Sequence, residues 1–508
     1  MREALRAALE SAARGDTTVE VVTKAAEALA GDPWAVVTHA GALARAEWVP
    51  APHDLGLTDT LRMTRPGHAA AIATVSAGAP FPRFDRRGRQ RRGAYDTPRD
   101  MARAVVRHAL EAATRPVHTA MDPAAGTGTF LVALAEHDIA HIRGVELDPV
   151  AAAVAQVAVP TAEVHVDNGF SADGETDLLV GNPPFVPPER QEKSLRDALR
   201  NRLPWLSGRF DLAVPFAAIS VERVRPGGGV GLVLPAPMMV QPYALPLRAR
   251  WLKSHRITHL SPNMAFPGAQ VSVVCIAMHT GEGPAPLPNH GLPAEELLSM
   301  DAIPLQPMLQ PGDPDILRQV RRASIPLGDV ATIDTGVVSH GPGGGKARLL
   351  HATPTPDRVP YVDAKDMAVN RTRWLDYRPE QMHRAKSPEL FEAPKVLVQR
   401  LRGRGPIRAW VDRGGLYAGH TLTVVRPDKP QITPELLHRL ITDPLVDGLL
   451  RMERGSRLDL YPKDVRSIPL PRSWMDQPER PLASAWGLTR TQANRLLAFQ
   501  VEVIGVTG

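Results

Sequence analysis

The sequence predicts an α/β protein whose central sheet is mainly parallel. Between residues 93 and 280, short apolar stretches alternate with amphipathic helical stretches, and this alternation is typical of repeated β–α–β units. A helix is predicted at 98–113, ahead of the first strand. The predicted strands lie at 118–122, 142–147, 162–166, 177–181, 229–235 and 272–278.

The regions before and after residues 93–280 show different sequence patterns. Residues 1–80 carry helical patterns, and residues 281–323 are rich in Pro and Gly, which predicts a linker. From about residue 324 the predicted strands are short and the loops long, until helical patterns return at 433–454 and 489–505. The expected organisation is a helical region, a catalytic domain, a mixed α/β domain and a terminal helix, at 1–90, 91–300, 324–480 and 481–508.

Composition limits the class of protein. Of the 508 residues, 43% are hydrophobic and 22% charged, which is typical of a globular protein. We expect a cytoplasmic protein with no membrane partner, because no apolar run is long enough to span a bilayer and the N-terminus lacks a signal-peptide core. The single cysteine, Cys275, excludes disulfides within the chain, and no metal site is expected.

The chain is basic, with a net charge of +6 and a pI of about 9.6. A basic chain is compatible with a polyanionic partner such as nucleic acid. Most of the basic residues are Arg, and GC-rich coding also produces an excess of Arg. The net charge alone therefore does not identify the partner.

The first functional motif is a glycine-containing turn after the first predicted strand. In MDPAAGTGTF, the strand ends at Asp122, and Gly126 and Gly128 allow the backbone to approach a ligand closely. The next two strands end near Glu146, which can bind ribose hydroxyls, and Asp167, which can accept from an adenine amine. These acids indicate a pocket for an adenosine-bearing cofactor. NAD remains open on spacing alone, although the turn is not G-x-G-x-x-G.

The second motif joins an apolar strand to a rigid turn. The strand TDLLVG runs directly into Asn182, Pro183, Pro184 and Phe185. The prolines fix φ and have no N–H, so they hold the Asn182 amide and the Pro183 carbonyl as two acceptors. Two acceptors match the two hydrogens of an NH2 group, and Phe185 offers a face for a planar ring. A stiff structural turn is the alternative interpretation.

Together these motifs resemble the gamma class of N6-adenine DNA methyltransferases, which includes modification subunits of restriction systems. GAYDTPRDMARAVV resembles the first motif of that family, DPAAGTGTF its methionine-binding loop and GNPPF its catalytic motif. The resemblance covers residues 93–280 and, more loosely, 324–475. It implies a Rossmann-like class I methyltransferase domain that uses S-adenosylmethionine and flips an adenine out of double-stranded DNA.

The resemblance also implies site residues. The catalytic set is Asn182, Pro183, Pro184, Phe185 and Phe266, with Phe266 stacking on the flipped base opposite Phe185. Asp211 and Phe216 are expected to line the pocket. The expected cofactor-binding residues are Tyr95, Thr97, Pro98, Asp122, Pro123, Ala124, Gly126, Gly128, Glu146, Asp167 and Asn182.

The C-terminal region resembles a target-recognition domain. SIPLGDVATIDTG, RVPYVDAKDM and SRLDLYPKDVRSIPLP carry this likeness. Between them, Arg400, Arg402, Arg404 and Arg408 are predicted to contact DNA, because arginine suits phosphates and guanine edges. A solvated basic hairpin is the alternative for these arginines, and a specificity or restriction subunit is a further expected partner.

The favoured function is therefore site-specific adenine methylation of DNA within a restriction-modification or phage-defence system. An RNA or protein-glutamine methyltransferase with an NPP-aromatic site is the second hypothesis, and a DNA-binding module with a vestigial catalytic domain is the third. The GAYDTP motif before the cofactor loop and the large C-terminal region favour the DNA enzyme over the second hypothesis. Retention of Asp122, Glu146, Asn182 and Phe185 argues against the third.

Overall fold

The computed structural model describes residues 31–37, 97–264, 272–288, 291–300, 302–338, 349–382, 385–401, 405–455 and 460–505. The chain divides into two compact units, Met1–Pro311 and Gly312–Gly508. Most of the predicted N-terminal helical region lies outside the described residues. The functional assignment of each domain stays a prediction.

In the first unit, helices and strands alternate. Its helices are α1 Arg99–Ala112, α2 Thr129–Ala135, α3 Pro149–Ala158, α4 Lys193–Arg202, α5 Ala213–Val221, α6 Leu245–Ser254 and α7 Ala294–Leu298. Its strands are β1 Thr119–Asp122, β2 His141–Glu146, β3 Glu163–Val166, β4 Thr176–Gly181, β5 Val224–Pro235, β6 His255–Leu260 and β7 Val273–Thr280. Short helical turns occur at Pro33–Ala35, Pro188–Arg190, Ala236–Met239 and Pro242–Ala244.

The seven strands form one sheet in the order β3-β2-β1-β4-β5-β7-β6. Strands β1 to β5 pair in parallel, whereas β7 is antiparallel to both β5 and β6. The prediction of a mainly parallel α/β sheet is confirmed. The sequence interpretation missed β6, because this edge strand is polar and only half-buried and so lacks a strong apolar signal.

The centre of the sheet is buried on both faces, which explains its continuous apolar sequence. Every residue of β4 is buried. Helix α1 buries the face that carries Val105, Val106 and Ala109, and it packs closely on β5. A Cβ added at Gly229 would lie 2.0 Å from the carbonyl oxygen of Ala109, so glycine is what permits this approach.

The second unit has its own sheets and helices. Its helices are α8 Asp313–Arg322, α9 Ala364–Ala368, α10 Glu389–Glu392, α11 Pro434–Thr442, α12 Pro444–Arg454, α13 Pro462–Arg466, α14 Leu482–Ala485 and α15 Arg490–Gly505. Its strands are β8 Ser324–Pro326, β9 Ala331–Thr335, β10 Leu350–His351, β11 Val359–Val362, β12 Arg373–Leu375, β13 Lys395–Gln399, β14 Ala409–Asp412, β15 Tyr417–Ala418, β16 Leu422–Pro427 and β17 Pro469–Pro471.

Two four-stranded sheets, β10-β12-β11-β15 and β14-β13-β16-β9, form the core of this unit, beside the pair β17-β8. The linker prediction for 281–323 is wrong in part, because this segment contains α7 and α8. Leu297 and Ile316 are buried in those helices, and tertiary burial of such side chains overrides the Pro- and Gly-rich composition. No helix among the described residues is both long and apolar enough to cross a bilayer.

Candidate active site

The predicted site residues of the first unit follow the carboxyl ends of parallel strands. Since β1 to β4 all run in the same direction, the loops that follow them meet at one edge of the sheet. The loop after β1 also hydrogen-bonds to the neighbouring strand, because the Ala125 N–H donates to the carbonyl of Val145 at 2.9 Å.

Asp122 ends β1 and is fully buried. Its Oδ1 accepts from the Ala124 N–H at 3.0 Å, and its Oδ2 is buried with no hydrogen-bond partner in the described part of the chain. Burial raises the pKa of this carboxyl to about 8, and the nearby charge of Glu146 adds to the increase. The carboxyl therefore favours its protonated form until a cation or donor reaches it.

Glu146 ends β2 and holds the glycine-containing turn. Its Oε2 accepts from the Gly126 N–H and its Oε1 from the Asp148 N–H, both at 2.8 Å. Gly128 has a φ of +97°, in the left-handed region, and precedes α2. The side chain of Leu147, next to Glu146, is 59% exposed. Sequence reasoning did not single out this exposed apolar residue, although its place directly after the acid was a usable signal.

The loop after β3 touches the loop after β1. A Cβ at Gly169 would lie 2.1 Å from the carbonyl oxygen of Pro123. The Asp167 N–H donates to the Glu146 carbonyl at 3.1 Å, which places Asp167 beside the end of β2. Its exposed side chain accepts from the Asn168 N–H at 2.6 Å, so one carboxylate oxygen already has a local donor.

The turn after β4 lies beside Asp122. A Cβ at Gly181 would lie 2.8 Å from Asp122 Oδ1. The next residue, Asn182, donates from Nδ2 to Thr97 Oγ1 at 3.2 Å. The structure thus brings the first motif, the cofactor loop and the NPPF turn together, although Thr97 and Asn182 are 85 residues apart in sequence. Phe185 is buried, with 8% of its surface exposed.

The segment after NPPF is held by two side chains. Gln191 and Asp211 both hydrogen-bond to the backbone of Val186. Burial raises the pKa of Asp211 to about 6. The predicted pocket residue Phe216 contacts Phe170 edge to face, with ring centroids 5.0 Å apart. Sequence reasoning did not single out Gln191, because a lone glutamine in a polar segment carries no signal.

Several predicted site residues lie outside the described residues. These are Tyr95, Phe266, Arg402 and Arg404. The roles of these residues therefore stay predictions.

In the second unit, the two described arginines of the predicted DNA-contacting set differ. Arg400 donates from Nη1 to the carbonyl of His420 at 2.6 Å and lies over the ring of Tyr461 at 4.7 Å. Arg408 is exposed. The guanidinium of Arg400 therefore already has partners within the protein, whereas Arg408 has the freer side chain.

The described residues contain no His, Cys, Asp and Glu group arranged to hold a metal ion. They do fit S-adenosylmethionine, which presents an ammonium group, a sulfonium and a ribose diol. The buried Oδ2 of Asp122 is an acceptor that lacks a donor within this region. Glu146 is half-buried at the same edge, and carboxylate oxygens have capacity for further donors.

The first unit therefore has the fold of a class I S-adenosylmethionine-dependent methyltransferase. Residues 140–264 match the family model described as Eco57I restriction-modification methylase. The chain is 25% identical over 350 residues to the type II methyltransferase M.TthHB8I of Thermus thermophilus, covering 63% of this chain and 77% of that one. It is 24% identical over 394 residues to M.PaeR7I of Pseudomonas aeruginosa, covering 62% of this chain and 68% of that one. By these comparisons the chain is similar to methyltransferases of restriction-modification systems.

Solved structures share the fold over most of the chain. The type IIL restriction-modification enzyme MmeI, solved in complex with DNA, superposes with a TM-score of 0.50 at 13% identity, over 81% of this chain and 73% of that one. The DrdV–DNA complex gives a TM-score of 0.51 at 10% identity, over 92% of this chain and 67% of that one. At these identities the likeness concerns the fold alone.

Proposed function

We propose that this protein methylates the N6 amine of adenine within a specific DNA sequence. The observation that carries the proposal is the hydrogen bond from Asn182 Nδ2 to Thr97 Oγ1 at the end of β4, beside the buried Asp122. That bond orients the Asn182 amide so that Nδ2 is engaged with the first motif. Oδ1 is the amide atom that we propose accepts from the substrate.

Adenine N6 is a weak nucleophile, because its lone pair is delocalised into the ring. The two N–H groups of the amine donate hydrogen bonds to Asn182 Oδ1 and to the Pro183 carbonyl, which localises the lone pair for attack. Pro183 and Pro184 keep these acceptors fixed, since their φ angles cannot rotate. Positioning and fixed dipoles supply most of the rate, so no strong general base is required. The methyl group leaves the sulfonium as a neutral thioether forms, and the methylated amine then loses its extra proton to a carbonyl or to water.

The base leaves the duplex so that its amine can reach the turn after β4. Phe185 stacks on one face of the ring and Phe266 on the other, which offsets part of the cost of unstacking. S-adenosylmethionine supplies the electrophilic methyl group. Asp122 binds its ammonium group, Glu146 its ribose hydroxyls and Asp167 its adenine amine.

The second unit, with Arg408 exposed in it, reads the DNA sequence. The type II methyltransferases and restriction-modification enzymes that resemble this chain support the assignment. A restriction or specificity subunit fits the same system, as does a role in phage defence.

The decisive experiment replaces the proposed acceptor. We expect Asn182→Ala to reduce transfer of labelled methyl groups to DNA by at least about 100-fold, because the amine loses a positioned acceptor. DNA binding should persist, because the proposed role of Asn182 involves the adenine amine and not the phosphates. The matched control is Asn201→Ala, on the exposed surface of α4, which should behave like the wild type.

Sequencing of the methylated DNA identifies the modified base and its context. Parallel reactions with RNA and with protein test the competing substrates. Full activity of Asn182→Ala contradicts the catalytic assignment, and transfer to RNA or protein in place of DNA contradicts the proposed substrate.

A further inference from the structure

Val186 directly follows the NPPF motif, and both of its backbone polar groups are bound. Its carbonyl accepts from Gln191 Nε2 at 2.7 Å and from the Leu212 N–H at 3.0 Å. Its N–H donates to the carboxylate of Asp211. Residues from two separate segments therefore hold this one peptide.

The side-chain amide of Gln191 links two segments of the chain. Its Nε2 donates to the carbonyl of Phe210 at 2.8 Å as well as to that of Val186. The side chain is 7% exposed, so water competes little for these bonds. The backbone of Gln191 is itself anchored, because its carbonyl accepts from Arg196 Nη1 at 3.1 Å.

Asp211 links the same peptide to helix α5. Its Oδ1 accepts from the Ala213 N–H at 3.0 Å, at the first turn of α5. Helix α5 carries Phe216, which is in edge-to-face contact with Phe170 of the loop after β3. The carboxyl group of Asp211 therefore joins the chain after Phe185 to the wall of the candidate site.

The position of these bonds follows from the chemistry of proline. Pro183 and Pro184 have no N–H, so the turn cannot be held through donors at those two residues. At Val186, by contrast, side chains from outside the turn bind both the N–H and the carbonyl. Hydrogen bonds that fix the backbone of Val186 therefore also restrict the position of the neighbouring Phe185.

We propose that Gln191 and Asp211 form a clasp on Val186 that positions Phe185 and the preceding acceptors for methyl transfer. Both act as positioning residues, because they reach the site through the backbone of Val186. The proposal rests on the proposed function. A small displacement of reacting groups costs on the order of 100-fold in rate, so the clasp controls the rate of transfer more than cofactor affinity.

The test uses the full-length chain with Gln191→Met, which keeps the volume but removes the amide. We expect the single-turnover rate constant for methyl transfer to fall by about 10- to 100-fold, while the Kd for S-adenosylmethionine changes less than about twofold. Gln319→Met is the matched control, because Gln319 Nε2 also donates to a backbone carbonyl, that of Trp486, but in the second unit.

Hydrogen–deuterium exchange gives a readout that does not depend on activity. Peptides spanning residues 182–192 should exchange faster in Gln191→Met than in the wild type or the control. Asp211→Leu should speed exchange at the Val186 N–H directly, and Asp211→Asn, which keeps one acceptor oxygen, should recover part of both the protection and the rate. Gln191→Asn replaces Gln191→Met if the latter does not fold.

Two results overturn the clasp. One is unchanged exchange at 182–192 when Gln191 is replaced, and the other is faster exchange with an unchanged transfer rate. If the wild type methylates no adenine, the proposed function fails, and the exchange data still decide whether these residues hold the turn. A general loss of cofactor affinity and thermal stability with no separate effect on rate also contradicts a positioning role.

Discussion

The carboxyl group of Asp122 shows how a single residue is shaped by its place in the fold. It is buried at the end of β1, with Ala124 as its backbone donor, and burial raises its pKa to about 8. In the unfolded chain an aspartate titrates near pH 4. The folded chain therefore binds this proton more tightly than the unfolded chain does.

This difference predicts a pH-dependent stability. A carboxyl whose pKa is raised on folding contributes stability that is fully present below about pH 4 and is lost as the pH rises to about 8. We expect Asp122→Asn, which stays neutral, to lose less Tm than the wild type between about pH 5 and pH 8.5 in the absence of cofactor. Differential scanning calorimetry across this range makes the measurement.

The control for this experiment is Asp138→Asn, an exposed aspartate of the same unit, which should follow the wild type. If Tm changes with pH equally in the wild type and in Asp122→Asn, ionisation of the Asp122 carboxyl does not destabilise the fold. Asp122→Asn should also weaken S-adenosylmethionine binding, because an amide cannot supply the negative charge proposed to meet the ammonium group.

At the scale of elements, the site depends on how α1 lies against the sheet. Thr97 precedes α1 by two residues, so the seating of this helix on β5 sets where the Thr97 hydroxyl meets Asn182. Helix and strand approach through Gly229, where an added Cβ would lie 2.0 Å from the Ala109 carbonyl oxygen. Backbone contact of this kind cannot be relieved by rotating a side chain.

We therefore expect Gly229→Ala to destabilise the protein by about 1–3 kcal/mol, as other overpacked interiors do, and to lower methyl transfer by displacing α1. Urea unfolding gives the free energy. Gly31→Ala is the comparison, because a Cβ there has no atom within 4 Å. Wild-type stability of Gly229→Ala would mean that α1 can move away without consequence.

At the scale of the whole molecule, the chain combines a methyltransferase fold with a second compact unit, Gly312–Gly508. The second unit holds buried or half-buried charges in pairs, such as Lys395 with Asp412 and Arg495 with Asp313. These pairs link elements within the unit, whereas Arg408 is exposed. Fewer basic side chains are therefore available to contact DNA than the sequence contains.

We expect Arg408→Gln to weaken DNA binding and to reduce the slope of log K against log salt by about 1, as the loss of one phosphate contact does. Titrations of labelled DNA at several salt concentrations measure the slope. Arg480→Gln, another exposed arginine of the second unit, is the reference. An unchanged slope for Arg408→Gln would place this residue away from the phosphates.

The sequence by itself determined that the central sheet is mainly parallel and which polar residues stand at the ends of its strands. Apolar runs bounded by Gly, Asp and Asn are enough for this, because buried strands and strand-end acids follow from local pattern. The tertiary structure decided which of those residues meet. The bond between Thr97 and Asn182 joins residues that are 85 apart in sequence, and Arg400 contacts His420 and Tyr461. The burial of Asp122 Oδ2 without a donor in the described part of the chain, and the bond from Gln191 to Phe210, are also decided by packing. Such contacts depend on how helices and loops pack in space, which short-range sequence pattern does not encode.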